Sequence, residues 1–406
     1  MSITKTDVLI IGGGPSGSAS ASILRKQGFE VTIIEKTKFP RFVIGESLLP
    51  LCMDLLDEAD LLEAVEKQGF QKKNGAAFIK GESTCDFDFS EQYSEGWNWT
   101  WQVQRSEFDK TLIDEAEKKG AIVLFESTVE NVEFINDKVL TTVSSKKGTN
   151  TFESKYIIDS SGYGRVLPRL LDLEKPSTLP SRSAFFTQIK DVNRPKGKDS
   201  NRIQVIVLKD GVWVWMIPLE NGITSVGFVG DIDLTKDTLN NEKEFRDLID
   251  SNVILKERFG GLEYVFEPKK MIGYSSAVKQ FYGDKYVLTG NSTEFLDPIF
   301  SSGVTFALAS GVLASKLIVR ELKKESVDWE SEYVDVIQTG VAVFRSYIDA
   351  WYDGTLQTVF FSEGINQEIK KMICSVLAGY VWDNSNYYVK KHKKAIKTLA
   401  KVIELK

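Results

Sequence analysis

Residues 7–17 read DVLIIGGGPSG. A short apolar run, 7–11, leads into a glycine turn, and residues 18–27 then repeat their apolar positions at helical spacing. Residues 29–34 form a second apolar run that ends at Glu35. The pattern predicts a βαβ unit with GxGxxG at Gly12, Gly14 and Gly17. Gly12 permits the tight turn, Gly14 lets the backbone approach a pyrophosphate at the helix N-terminus, and Gly17 lets helix and strand pack closely. Glu35 stands 18 residues after Gly17, where a carboxylate accepts from ribose hydroxyls. Strand, turn, helix and acid together point to a bound dinucleotide, with Ser16 in the turn and Lys36 beside Glu35 counted in its site.

Outward from this unit, residues 48–68 read as helix, 75–89 and 97–104 as strands, and 108–119 as an amphipathic helix. Residues 129–143 and 151–158 suggest an antiparallel excursion that returns to the main sheet. Residues 202–230 alternate as a β-meander, broken at Asp210-Gly211 and Asn221-Gly222, dipeptides suited to type I′ turns. Residues 285–289 read as a buried strand, and after Ser302 the chain is mostly helical. The expected class is α/β. A discontinuous dinucleotide domain takes residues 1–75, 100–165 and 280–325. A β-sheet substrate domain takes 76–99 and 166–279, and a helical region takes 326–406.

Composition narrows the chemistry. The 406 residues are 42% apolar and 27% charged with a net charge of −6, which speaks against a general nucleic-acid binder. Cys52, Cys85 and Cys374 form no CxxC and read as reduced thiols of a cytoplasmic protein. No signal-peptide pattern precedes the first strand. Residues 304–319 are apolar but contain Ser310, Ser315 and Lys316, which favours a buried helix over a membrane span. The single histidine, His392, lies in a lysine-rich tail, so neither a Ser-His-Asp triad nor a metal site is expected. Reactivity is therefore expected to come from a cofactor.

Further motifs carry a resemblance. Lys38-Phe39-Pro40-Arg41 followed by Gly45-Glu46-Ser47-Leu48-Leu49-Pro50 resembles the segment after the second strand in flavin-dependent halogenases. These belong to the glutathione-reductase-like FAD superfamily, whose cofactor domain is of Rossmann type. Arg105 with Phe108-Asp109, Asp159-Ser160-Ser161-Gly162 and Gly290-Asn291 resemble that superfamily's FAD contacts. The usual residue at 291 is aspartate, and Asn291 keeps an acceptor without the charge. Arg41 and Arg105 also suit surface salt bridges.

Trp213-Val214-Trp215-Met216-Ile217-Pro218 fits the halogenase motif WxWxIP. On a strand Trp213 and Trp215 share one face, as an aromatic wall between flavin and substrate or as ordinary sheet packing. Phe295-Leu296-Asp297-Pro298-Ile299-Phe300-Ser301-Ser302-Gly303 fits FxxPxxSxG. The backbone N–H groups of Ser302, Gly303 and Val304 at the following helix start suit a halide; contact with the isoalloxazine alone is the other reading of this loop, Pro298 included. Gly69-Phe70-Gln71-Lys72-Lys73-Asn74-Gly75-Ala76 is similar to the GFxxKxGA segment that carries the halogenase lysine, which falls on Lys73. Tryptophan halogenases place a glutamate between Pro and Ser of FxxPxxSxG. Phe300 stands there instead, as in enzymes of phenolic, pyrrolic or carrier-tethered substrates.

The resemblance implies a monooxygenase that uses reduced FAD, oxygen and chloride or bromide to halogenate an electron-rich aromatic ring, either free or on an acyl carrier protein. No second GxGxxG is present, which fits a separate NAD(P)H-dependent flavin reductase. Lys73, Trp213, Trp215 and Pro218 are the catalytic candidates. A reductase or hydroxylase similar to geranylgeranyl reductases, and a non-catalytic flavin-binding partner, are the competing readings. Trp97, Trp99 and Trp101 suit an aromatic pocket or core packing. The tail 387–406, with seven lysines and one glutamate, suits either carrier docking or a solvated helix.

Overall fold

Val8–Ile11 and Val31–Ile34 are buried along their whole length. Their unbroken apolar runs are what parallel strands covered on both faces require. They pair in parallel, Val8 opposite Val31, with helix Pro15–Lys26 crossing between them. The computed structural model describes residues 3–177, 180–209, 211–231, 241–273 and 276–405. Distant segments return to this sheet. Its strand order is Tyr282–Gly283, Tyr286–Leu288, Tyr156–Asp159, Val8–Ile11, Val31–Ile34 and Ile122–Leu124, parallel except at the first edge. Helices Arg105–Lys118 and Gly303–Leu322 pack against the first helix.

A seven-stranded sheet lies beside this layer. Lys269–Ile272, Arg182–Lys190, Ile223–Asp231, Val212–Pro218, Ile203–Lys209, Gly75–Lys80 and Ser83–Asp88 follow one another across it. Asn221 and Gly222 have φ of 59° and 70°, both left-handed as a type I′ turn needs. Asp210 of the other expected turn lies outside the described residues. Ser127–Ile135, Lys138–Ser145 and Gly148–Ser154 form the antiparallel excursion, with Ile3–Lys5 added in parallel at its edge.

Three expectations change. The helix expected over 48–68 is two, Leu51–Glu58 and Leu62–Glu66, because Asp60 turns left-handed at φ 57° between them. Residues 75–89 form a hairpin turned at Gly81. Of 97–104 only Thr100–Gln102 is strand, paired with Gln71–Lys73. Trp97, Trp99 and Trp101 do not alternate along one strand; their rings meet edge to face at 5.9 and 5.2 Å. Gly303–Leu322 is apolar and long enough to cross a bilayer, yet 72% of it is buried inside the fold, as a core helix is. Helix Asp335–Tyr352 and four shorter helices follow among the described residues.

Candidate functional site

The turn after the first strand opens onto a cavity of about 420 Å³. Each glycine has a distinct reason. Gly12 has φ +94°, and a Cβ there would stand 2.6 Å from the Ser160 carbonyl oxygen. A Cβ on Gly17 would stand 2.0 Å from the Gly12 oxygen. A Cβ on Gly14 would meet only the Arg41 guanidinium, at 3.6 Å, because it points into the cleft. That is the cradle a pyrophosphate needs, so the residues present fit a dinucleotide.

Most of the expected binding residues converge here. Gly12, Gly14, Ser16, Glu35, Lys36, Arg41, Ser47, Arg105, Gly162, Gly290, Asn291, Pro298, Gly303 and Val304 all line the cavity, as do Trp213 and Trp215. Glu35 is held ready: Oε2 accepts from Gly13 N–H (2.9 Å) and Oε1 from Thr37 N–H (2.8 Å). Arg41 and Arg105 share the fully buried Asp109. Arg105 bonds it bidentately at 2.8 and 3.0 Å, and Arg41 Nη1 adds a bond of 3.0 Å. These two arginines thus form one internal cluster with Arg105 Nη1 on the Ile44 carbonyl (3.0 Å).

Gly17, Asp159, Ser302 and Pro218 stand behind the wall rather than on it. Asp159 Oδ1 accepts from Ser161 N–H (2.8 Å) and Ser292 Oγ (3.0 Å), and Oδ2 from Leu167 N–H (2.7 Å). It ties the two loops that bracket the cleft. Ser302 holds the N-cap position of helix Gly303–Leu322, without a side-chain capping bond, after Ser301 turns left-handed, φ 59°. The first N–H groups of that helix lack intrahelical acceptors, and a Cβ on Gly303 would meet nothing. Pro218 closes the Trp213 strand opposite Thr224.

Each motif tryptophan leads through a hydroxyl towards a buried carboxyl. Trp213 Nε1 donates to Tyr352 Oη (2.9 Å), which donates to Asp297 Oδ2 (2.9 Å). Trp215 Nε1 donates to Ser225 Oγ (3.1 Å), which borders Glu46. Burial pushes Asp297 up to about 6, against the pull of the Ile299 N–H, Tyr352 and Arg182. Burial likewise pushes Glu46 up to about 7. Tyr352 ends helix Asp335–Tyr352, and Glu46 lies within Gly45-Glu46-Ser47. Nothing local in either motif marks a role, since their partners lie 139 and 142 residues away.

Lys73 is buried, 1% exposed, and lies outside the lining of the large cavity. It stands opposite Thr100, and its Nζ donates to the Leu48 carbonyl (2.7 Å). Burial pushes it down to about 7. Lys72 instead rests over the Trp99 ring at 4.6 Å, and Lys80 bonds Gln357 at 2.9 Å on the surface. Around Lys73, Ser47 Oγ, Asn74 Oδ1, Thr100 Oγ1 and Gln102 Oε1 are buried without a hydrogen-bond partner. Pairing of Ser47 with Gln102 and of Thr100 with Lys73 sets Ser47, Gln102, Thr100 and Lys73 on one face, with Asn74 next along the chain. Among the described residues no His/Cys/Asp/Glu group suits a metal ion.

The family model described as FAD binding domain matches residues 5–257. The chain is 31% identical to the 1H-pyrrole-2-carbonyl–peptidyl-carrier-protein chlorinase of Pseudomonas fluorescens, over 85% of this chain and 83% of that one. A crystal structure of a flavoprotein/dehydrogenase from Cytophaga hutchinsonii is 52% identical, covers 99% of both chains and superposes with a TM-score of 0.96. The flavin-dependent brominase Bmp2 is 26% identical over 99% of this chain and all of its own, with a TM-score of 0.84. With its glycine cradle, its paired tryptophans and these relatives, the chain belongs to the flavin-dependent halogenase family of FAD-binding proteins and is an FAD-dependent oxidoreductase.

Proposed function

We propose that this enzyme adds chlorine or bromine to an electron-rich phenolic or pyrrolic ring, free or tethered to a carrier protein, in the cytoplasm. A separate NAD(P)H-dependent reductase supplies reduced FAD. Reduced FAD, when bound, would supply two electrons to oxygen, which would oxidise the halide to hypohalous acid with its other atom leaving as water. Gly12, Gly14, Ser16, Glu35 and Lys36 hold its adenosine and pyrophosphate end. Arg41, Ser47, Arg105, Gly162, Gly290, Asn291, Pro298 and Gly303 hold the rest. Asp159, Gly17 and Ser302 keep those loops in place. The N–H groups of Ser302, Gly303 and Val304 receive the halide. Trp213 and Trp215 wall the cavity, and Pro218 ends their strand.

The observation that carries this reading is the row of unpaired buried polar atoms from Ser47 to Lys73. Ser47 belongs to the cavity lining, and Lys73 lies across the Thr100–Gln102 strand from it. Buried polar groups need partners, and a chain of small polar molecules satisfies such a row. It suits passage of hypohalous acid from the cavity to Lys73. Near neutral pH Lys73 is available both as an amine, which takes up halogen, and as an ammonium, which polarises the acid. The 52% identity to a flavoprotein/dehydrogenase favours, as the second reading, a flavin-dependent reductase or hydroxylase. Mass spectrometry of products from phenols and carrier-bound pyrroles, with reduced FAD, oxygen and bromide, tests the two. Brominated product supports the first; reduced or hydroxylated product regardless of halide supports the second.

A further inference from the structure

The cavity wall contains two carboxylates, Glu35 and Glu46. Both oxygens of Glu35 accept hydrogen bonds. Glu46 is different. It is 2% exposed, its Oε1 accepts from Gln188 Nε2 at 2.6 Å, and its Oε2 has no hydrogen-bond partner. Burying an ionised oxygen with no donor is costly, whereas a protonated one becomes a free donor. Glu46 also occupies a particular place on the extended segment that runs from the cavity wall to the Lys73 contact at Leu48. Its carbonyl accepts from Val103 N–H (2.7 Å), and Leu48 N–H donates to the Trp101 carbonyl (3.1 Å). Two residues of extended chain, about 7 Å, separate Glu46 from the carbonyl that holds Lys73.

The charged and titratable groups around it are few. Arg105 at the start of its helix favours the carboxylate through space, and Glu220 opposes it. Ser225 and Gln188, from neighbouring strands of the large sheet, hydrogen-bond the carboxyl group and favour its ionised form, Ser225 more strongly. Desolvation is the largest influence, which keeps the carboxyl protonated up to about neutral pH.

We propose that Glu46 is a further catalytic residue: as a neutral carboxylic acid, its Oε2–H donates a hydrogen bond to the oxygen of hypohalous acid leaving the flavin cavity and directs it towards Lys73. The step rests on the halogenase reading. No covalent bond forms or breaks in it, and the carboxyl keeps its proton. The ionised form offers no donor and repels halide, so coupling of oxygen consumption to product falls as pH rises through about 7.

Two measurements test this. Infrared pH titration of the flavin-free protein, with Glu46→Gln as the difference reference, reads the protonated carboxyl directly. A carbonyl band present at about pH 5 and lost by about pH 9, absent from Glu46→Gln, is expected; a Glu46 already ionised at about pH 5 overturns the proposal. The FAD-loaded enzyme is then given a free phenol and bromide, and brominated product per oxygen consumed is followed against pH. Wild-type coupling falls above about neutral pH. Glu46→Gln, with a fixed N–H donor, flattens that profile. Glu46→Leu, with no donor, lowers coupling roughly tenfold and releases hypohalous acid into solution. Circular dichroism and flavin content check folding, and the infrared arm needs no active variant. Wild-type coupling in Glu46→Leu, or equal failure of Glu46→Gln and Glu46→Leu, overturns it. A wild type that makes no halogenated product at all sinks the halogenase reading instead, whatever the infrared titration shows.

Discussion

The flavin cleft and the buried polar cluster around Lys73 meet at Ser47, yet they are made differently. In the cleft, backbone carries the chemistry: the Gly12–Gly17 turn, the Gly303 helix start, and loops tied by Asp159. In the Lys73 cluster, side chains carry it: one buried lysine and four unpaired polar atoms brought together by three short extended segments. A backbone site tolerates only glycine at a few points and is indifferent to much else. A side-chain site depends on the identity of one residue and on everything that buries it. The two regions should therefore fail differently when altered.

The largest expected effect is on the Lys73 cluster. Lys73→Ala should lower halogenated product roughly 100-fold or more while flavin content and oxygen consumption change little. Lys73→Arg should fail as well, since a guanidinium stays protonated and is a poor nucleophile. Lys72→Ala and Lys80→Ala should matter much less, because those amines sit on an indole face and at the surface. Product, oxygen uptake and free hypohalite measured in parallel decide it; wild-type product from Lys73→Ala would end the relay mechanism.

In the cleft the contrast is between two glycines. Gly14→Val adds atoms only to the cradle, so a folded protein that binds FAD at least tenfold more weakly is expected. Gly17→Val drives a Cβ against the Gly12 carbonyl, 2.0 Å away, and should yield little folded protein. Flavin absorbance per chain and circular dichroism separate the outcomes. Full flavin occupancy in Gly14→Val would mean the pyrophosphate lies elsewhere.

A smaller effect is expected where helix Asp335–Tyr352 braces the cleft wall. Tyr352→Phe strands the Trp213 N–H and leaves Asp297 Oδ2 only its Arg182 ion pair at 3.7 Å, at about 1–3 kcal/mol of stability. Coupling should fall several-fold as the indole loses its anchor. An unchanged melting temperature and coupling would show that the Trp213–Tyr352–Asp297 chain is incidental.

The smallest effect is on stability. Lys73 ionises less readily folded than unfolded, so the unfolded chain binds the extra proton between about pH 7 and the ordinary lysine value. Its burial therefore costs most below about pH 7, and the cost fades as pH rises towards about 10. Lys73→Met should raise the melting temperature by about 3 °C in mild acid and by less in alkali. Equal gains at both ends would mean that the ammonium is not desolvated.

Much of the cleft could be read from the chain because its determinants are local. Three glycines and Glu35 fall within 24 residues, and Phe295 to Gly303 is one continuous loop. The split of the helix expected over 48–68 was not legible, since Asp60 turns left-handed without a glycine to signal it. Residues 97–99 alternate like a strand, but only Thr100–Gln102 finds a pairing partner.

By itself the sequence determined the βαβ unit, the meaning of each of its glycines and the resemblance that names Lys73 among three nearby lysines. Those signals need only spacing and backbone sterics. Tertiary structure decided which groups are charged and where they face. It left Lys73 held by Leu48, gave Arg41 and Arg105 a common Asp109, and left Glu46 with one free oxygen. Desolvation and hydrogen bonding sum over neighbours brought from every part of the chain, and Gln188 reaches Glu46 across 142 residues. No local window contains that sum, so the protonation of the site belongs to the fold.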